Sequence, residues 1–326
     1  MKIFSGIQPS GALHIGHYLG AIQQWKELQK NNDALFCIVD MHAITAPQEP
    51  EELRKRIFEV AGLFLASGID PQKSIIFQQS DVPAHAELHW ILNTIAPLGE
   101  LERMTQFKDK ASKAKSLCAG LLNYPTLQAA DILLYGTDEV PVGEDQAQHI
   151  EFTRMIAEKF NARFGETFKL PKAKVVKEGA RIMSLQDPLK KMSKSDPDPD
   201  SYLALLDDGA TIMKKLKKAV TDSGKEVRYD KEKKPAISNL MTIYQAFSGK
   251  SYKEIEEAYK GKQYSEFKSM LAEILTHSLM PIKEKYTMLS ERPSEVKAVL
   301  LEGKEKASII AEKTLAKVYQ KIGFTL

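Results

Sequence analysis

KIFSGIQPSGALHIGHYLG, residues Lys2–Gly20, begins as an apolar run, passes through a turn of small residues and continues into a helical period. KIFSGI reads as a strand, and YLGAIQQWKELQK, residues 18–30, as the helix that follows it. The same alternation then repeats. ALFCIVD, residues 34–40, is apolar nearly throughout, the signature of a strand covered on both faces. PEELRKRIFEVAGLFLAS, residues 50–67, carries Leu53, Ile57, Val60, Ala61, Phe64 and Leu65 on one helical stripe, and Gly68 stands where a helix end favours a left-handed residue. SIIFQQS, residues 74–80, is a third strand. Strands alternating with helices of this length predict an α/β fold, a doubly wound parallel sheet of the Rossmann type.

Beyond Pro83 the pattern turns mainly helical as far as about Phe164. YPTLQAADILLYG is a strongly apolar helix, and VGEDQAQHIEFTRMIAEKF is a helix entered through Gly143. ARIMSLQDPLKKMSKSDPDPD, residues 180–200, breaks the periodicity with prolines, lysines and short polar residues and reads as a surface loop. From Leu203 onward everything reads as helix, ending in an amphipathic segment with Ala307, Ala311, Leu315, Val318 and Ile322 in register. The expected division is an α/β domain over 1–190, a loop over 191–200 and a helical domain over 201–326.

With 326 residues the chain can bury a sizeable core and has room for two domains. No apolar run approaches the roughly 18 residues that a membrane span requires. The N-terminus lacks the apolar segment of a signal peptide. Cys37 and Cys118 make neither a disulfide framework nor a metal-ligand pattern, and Cys37 reads as a buried structural thiol. A cytoplasmic protein is the expectation. The net charge of +3 hides an asymmetry, because residues 197–326 carry 23 Lys and Arg against 19 Asp and Glu. Such an excess fits a solvated helix face better than a nucleic-acid surface.

In an open parallel sheet, ligands bind at the carboxyl ends of the strands, where strand order reverses. Neither G-x-G-x-x-G nor G-x-x-x-x-G-K-[ST] occurs, which argues against a dinucleotide fold or a P-loop. The first turn offers Gln8, Ser10, Gly11, His14, Gly16 and His17 instead. Imidazoles and free N–H groups at a helix start can donate to a phosphate, and Gly16 leaves room for a flat base. By itself the stretch is equally a solvated turn that happens to hold histidines. A second cluster, KKMSKS, sets Lys191 and Lys194 on a loop beside Ser193 and Ser195. Phosphoryl and nucleotidyl transfers depend on positioning and on charge brought to the phosphate, a task that suits loop lysines. Alone, this cluster is also an ordinary exposed basic loop.

The two clusters together are specific. His14-Ile15-Gly16-His17 and Lys191-Met192-Ser193-Lys194-Ser195 match, in order and spacing, the two signatures of class I aminoacyl-tRNA synthetases. FSGIQPSG, CIVDMHAIT, GELERMTQFKDK, AADILLY, VPVGEDQ, GARIMSL, AVTDS and VRYDKE extend the likeness over most of the chain. The sequence resembles bacterial tryptophanyl-tRNA synthetases.

That resemblance implies two steps. Tryptophan and ATP-Mg²⁺ give tryptophanyl-adenylate and pyrophosphate, and the tryptophanyl group then passes to the terminal adenosine of tRNA(Trp). His14, His17, Lys110, Lys191 and Lys194 would be the catalytic set. Gln8, Pro9, Ser10, Gly16 and His17 would hold ATP at the first turn, Gly143, Glu144 and Asp145 the ribose, and Ile182 the adenine. Lys191, Met192, Ser193, Lys194 and Ser195 would form a mobile closing loop. Mg²⁺ would be carried on the ATP phosphates, with no protein metal ligand. Phe4, His42, Gln128, Asp131, Val140, Val142 and Gln146 would line the tryptophan pocket, with Asp131 accepting from the indole N–H. On the residues alone, Asp131 in the apolar LQAADILLY is better explained by a partner inside the core. Gln128 is a departure, since close relatives commonly carry Met there. The family likeness also implies a homodimer formed through about residues 83–140, and an anticodon-binding role for the helical half. A tyrosyl-specific enzyme, a small-molecule adenylyltransferase and a non-catalytic nucleic-acid binder are the competing readings.

Overall fold

A computed structural model describes residues 1–111, 117–143, 146–175, 181–194 and 196–324, without the side chains of 109–111 and 175. Five parallel strands make one sheet: β1 (Lys2–Ile7), β2 (Asp33–Ile38), β3 (Ser74–Gln78), β4 (Glu139–Val142) and β5 (Lys172–Val175), in the order β3-β2-β1-β4-β5. β1 pairs with β2 from Lys2↔Asp33 to Ile7↔Ile38 and meets β4 at Ile3↔Glu139. Strand order reverses between β1 and β4, so the crevice opens above Gln8 on one side and Gly143 on the other. This is a Rossmann-like α/β fold with a C-terminal helical domain.

Helices α1 (Ile15–His17) and α2 (Gln23–Leu28) are joined by a π-helical turn over Tyr18–Ile22. After β2 come α3 (Asp40–Ala43) and α4 (Pro50–Ala66), which ends at Gly68 with φ +95°. The middle of the chain supplies α5 (Ala84–Asn93), α6 (Leu98–Arg103), α7 (Thr105–Ala111), α8 (Ala119–Leu133) and α9 (Ala147–Phe164). The helical part contributes α10 (Gly209–Lys218), α11 (Pro235–Ser248), α12 (Tyr252–Ala258), α13 (Tyr264–Glu291) and α14 (Pro293–Ile322).

Two corrections to the sequence reading have clear causes. β4 and β5 were not anticipated, because four-residue strands EVPV and KAKV carry Pro141 and alternating lysines instead of an apolar run. The stretch 219–234 is not helical. There, aspartates hold their own backbone: Asp222 accepts from the Gly224 N–H at 2.7 Å, and Asp230 from the Lys233 N–H at 2.9 Å.

Two apolar clusters cover the sheet. One includes Ile7, Leu13, Ile15, Trp25, Phe36 and Phe64, and continues into Leu203, Leu205, Leu216, Leu240 and Phe267 of the helical part. The other gathers Phe4, Leu35, Cys37 and Phe77 with α5, α8, α9 and the end of α14. Ala307, Ala311, Leu315 and Val318 all lie buried in that second cluster. α14 touches the edge strand through Gly303, where a Cβ would lie 1.8 Å from the Ile76 carbonyl oxygen. A helix laid this close shields a strand edge that would otherwise offer unpaired backbone groups.

Candidate active site

The turn after β1 is closed by its own histidines. The His14 Nδ1 accepts from the Gly16 N–H at 3.0 Å, and the His17 Nδ1 accepts from the His14 N–H at 3.3 Å. Their rings lie 3.9 Å apart between centroids. A backbone N–H can only donate, so both Nδ1 atoms are unprotonated and each neutral ring carries its proton on Nε2. Burial, aided by Lys194 and Lys191, lowers His14 to about 3. Burial, His14 and the same lysines also push His17 well below its ordinary value. Near neutral pH the pair therefore offers two neutral Nε2–H donors, and the positive charge must come from elsewhere. Gly16 also makes room for a protein neighbour. A Cβ there would lie 2.8 Å from the His14 Cε1, so the missing side chain admits the imidazole.

The lysine loop supplies the charge. The Lys194 Nζ donates to the Gln8 carbonyl at 2.8 Å, and its aliphatic stem lies over Gly11, where a Cβ would meet the Lys194 Cδ at 3.2 Å. Gly11 adopts φ +143°, which only glycine reaches without strain. Burial, and the Arg56 charge against that of Glu59, lowers Lys194 to about 8. Lys191 and Ser193 are exposed, whereas Met192 and Ile182 are buried and hydrogen-bonded to each other through the Met192 N–H and the Ile182 carbonyl at 3.0 Å.

Two attachments fix the base of this loop. The Asn239 side chain, on α11, accepts from the Met183 N–H and donates to the Met183 carbonyl, both at 2.9 Å. Downstream, Leu203–Leu205 is stitched to the first turn by Ile15 N–H to Leu203 O at 3.0 Å and Leu205 N–H to Leu13 O at 2.9 Å. Asn239 was not foreseen. Its signal was a lone amide in the apolar AISNLMTIY.

On the other face of the sheet lies a buried polar cluster. Asp131, on α8, is 1% exposed. Its Oδ1 accepts from Gln79 Nε2 at 2.7 Å and His85 Nδ1 at 2.6 Å, and its Oδ2 from His42 Nε2 at 2.9 Å. Burial would raise the Asp131 carboxyl, but the bonds from His42 and His85 hold it well below the usual carboxylate range. The His85 Nε2 lies 2.8 Å from the Tyr135 hydroxyl, and the Tyr135 ring stacks on Phe4 at 5.6 Å. Gln79, His85 and Tyr135 were missed by sequence reasoning. Gln78-Gln79 at the carboxyl end of an apolar strand was the available hint.

The remaining sites sort by position. Phe4, Val140 and Val142 are buried beside this cluster, and Gln146 is half-buried with its N–H on the Gly143 carbonyl at 3.0 Å. Gln128 is half-buried, one helical turn before Asp131, and is not among the Asp131 partners. Gln8 is exposed, Pro9 buried and Ser10 half-buried at the end of β1. Glu144, Asp145, Ser195 and the Lys110 side chain lie outside the described residues. Among the described residues no cluster of His, Cys, Asp or Glu could hold a metal ion.

A family model for class I tRNA synthetases of the W and Y type matches residues 1–279. A tryptophan–tRNA ligase of Bacillus anthracis is 55% identical over 323 residues, covering 99% of this chain and 98% of its own. The chain belongs to the class I tRNA synthetases, in their bacterial tryptophanyl branch. Solved synthetase structures agree with this placement. A tryptophanyl-tRNA synthetase from Mycoplasma pneumoniae superposes with a TM-score of 0.90 at 36% identity, over 99% of this chain and 97% of that one. The synthetase from Campylobacter jejuni, solved with ADP and tryptophan, gives a TM-score of 0.86 at 41% identity, over 99% and 100%.

Proposed function

We infer that this synthetase activates L-tryptophan with ATP and transfers it to tRNA(Trp). The observation that carries the reading is the contact of Lys194 with Gln8, which brings the second signature onto the turn that holds the first. The tryptophan carboxylate attacks the α-phosphorus of ATP, forming tryptophanyl-adenylate and releasing pyrophosphate. A ribose hydroxyl of the tRNA terminal adenosine then attacks the activated carbonyl and releases AMP.

The chain's part is positioning and charge. His14 and His17 donate from Nε2 to phosphate oxygens as neutral groups, so neither acts as a base. Lys194 and Lys191, with Lys110, meet the charge that grows on the leaving pyrophosphate. This requires Lys194 to leave the Gln8 carbonyl for the phosphates, a short travel that closes the 191–200 loop over the nucleotide and excludes water. Met192, Ser193 and Ser195 complete that loop, Gln8, Pro9, Ser10 and Gly16 border it, and Ile182 bounds the adenine. Gly143, Glu144 and Asp145 take the ribose. Mg²⁺ enters as part of the nucleotide substrate.

Phe4, Val140 and Val142 wall the indole, while His42, Gln128 and Gln146 edge the pocket. An ionised carboxylate has about four acceptor sites. Asp131 uses three of them on its own neighbours, which leaves one on Oδ2 for an indole N–H. The ADP and tryptophan bound to the Campylobacter relative support both halves of this assignment. Exposed Trp90 on α5, Leu98 on α6 and Leu117 just before α8 suit the face of a homodimer. The lysine-rich helical part suits the tRNA anticodon arm. No described helix is long and apolar enough to cross a membrane.

Incubation with ATP, labelled tryptophan and tRNA(Trp) tests the whole reading. Label on the tRNA, dependent on ATP, is expected. Adenylate without charging would refute the transfer step, and neither product would refute the assignment.

A further inference from the structure

The two oxygens of Asp131 are unequal. Oδ1 carries two donors, Gln79 and His85, and is filled, whereas Oδ2 carries His42 alone. We propose that His85, backed by the Tyr135 hydroxyl, is a positioning residue for tryptophan selection. It anchors the Asp131 carboxylate through Oδ1 so that the free lone pair of Oδ2 faces the ring pocket. The proposal rests on the reading of Asp131 as the indole acceptor and adds the means by which its orientation is set.

One hydrogen-bond direction follows from the chemistry: the Asp131 carboxylate can only accept, so the His85 Nδ1–H donates to it. The Tyr135 hydroxyl lies 2.8 Å from the other ring nitrogen, Nε2, and so holds the imidazole with Nδ1 turned to Asp131. His85 is fully buried, so it acts through Asp131 and has no surface with which to meet a ligand directly. Tyr135 has a second duty. Its ring stacks on Phe4 with an interplanar angle of 9° and meets Phe77 edge-on at 5.6 Å. One residue therefore locates both the polar acceptor, through His85, and a wall of the pocket, through Phe4. Gln79 is held separately, by the Met41 N–H on its Oε1 at 3.1 Å, so removal of His85 leaves the carboxylate a single anchor on Oδ1.

The decisive probe is a tryptophan analogue whose indole N–H is replaced by sulfur, β-(benzothiophen-3-yl)alanine. It matches the ring in shape and offers no donor. For the wild type, kcat/KM in pyrophosphate exchange should favour tryptophan over this analogue roughly 10- to 100-fold, the range for a bond to a charged acceptor. His85→Leu should raise the tryptophan KM and bring the two substrates within about threefold of each other, the analogue's constants and the KM for ATP staying near wild type. His85→Asn, whose amide can reproduce the Nδ1 donor, should restore most of the preference. If His85→Leu does not fold, Tyr135→Phe decides, since it keeps the stack on Phe4 and removes only the hydroxyl; a several-fold drop in preference is expected.

A folded His85→Leu enzyme that keeps the wild-type preference, or that loses both substrates equally, would overturn the proposal. So would an unchanged preference in Tyr135→Phe. Failure of the underlying reading looks different: the wild type itself would then treat tryptophan and the sulfur analogue alike.

Discussion

The Lys194 ammonium donates to the Gln8 carbonyl at 2.8 Å, across 186 positions of sequence, and its stem covers Gly11. A lysine placed there has lost part of its hydration, and its pKa falls to about 8 through burial and the nearby Arg56 charge, partly offset by Glu59. It is held at the rim of the crevice by one carbonyl, a weak partner that a phosphate outcompetes.

Replacement of that lysine tests its role. Lys194→Ala should raise the barrier to adenylate formation by on the order of 2–4 kcal/mol, with the fold retained. Single-turnover formation of tryptophanyl-adenylate measures it, and an unchanged rate would remove the loop from the chemistry. Because Lys194 of the free enzyme loses its proton near pH 8, kcat/KM for ATP in activation by the wild type should decline above that pH, and Lys194→Arg should move the decline upward.

The buried histidines make the fold sensitive to acid. The folded-state pKa of His14 is depressed to about 3, from 6.5, so the unfolded chain binds more protons between those values. Stability is then fully present above about pH 6.5 and lost progressively as pH falls toward 3. His14→Asn keeps an N-cap acceptor for the Gly16 N–H and removes the titration. Its urea-unfolding free energy should fall less steeply over that window. An identical slope would place the acid sensitivity elsewhere.

Asn239 ties α11 to Met183 at the base of the lysine loop. Asn239→Ala deletes both bonds to Met183 and should cost about 1–3 kcal/mol of stability. The KM for ATP should rise more than that for tryptophan in pyrophosphate exchange. Equal rises would mean that Asn239 supports the fold alone.

At Gly303 the constraint is steric. A methyl group 1.8 Å from the Ile76 carbonyl oxygen forces α14 off β3. Gly303→Ala should lose about 1–3 kcal/mol or more, read as a lowered unfolding temperature. Wild-type stability would contradict the close approach.

The sheet's first three strands were legible because β1, β2 and β3 announce themselves by local apolar runs between periodic helices. β4 and β5 were not, since Pro141 and the lysines of KAKV erase that signal in four residues. The helix over 219–234 failed for a related reason. Its lysines suit a helix, but Asp222 and Asp230 capture backbone N–H groups and stop it. At the crevice, the residue types were readable from the two signatures, but not the direction of each imidazole, which depends on hydrogen bonds only the folded turn makes. Asp131 stood out as a costly carboxylate in an apolar helix. Its partners Gln79 and His85 come from a strand end and a helix 52 and 46 positions away, and no local pattern links them.

The central claim is that this crevice activates tryptophan. Amino-acid-dependent exchange of labelled pyrophosphate into ATP tests it most directly, run in parallel with tryptophan and with tyrosine. Exchange with tryptophan, and little with tyrosine, is the predicted result. Exchange with tyrosine alone, or with neither amino acid, would contradict it.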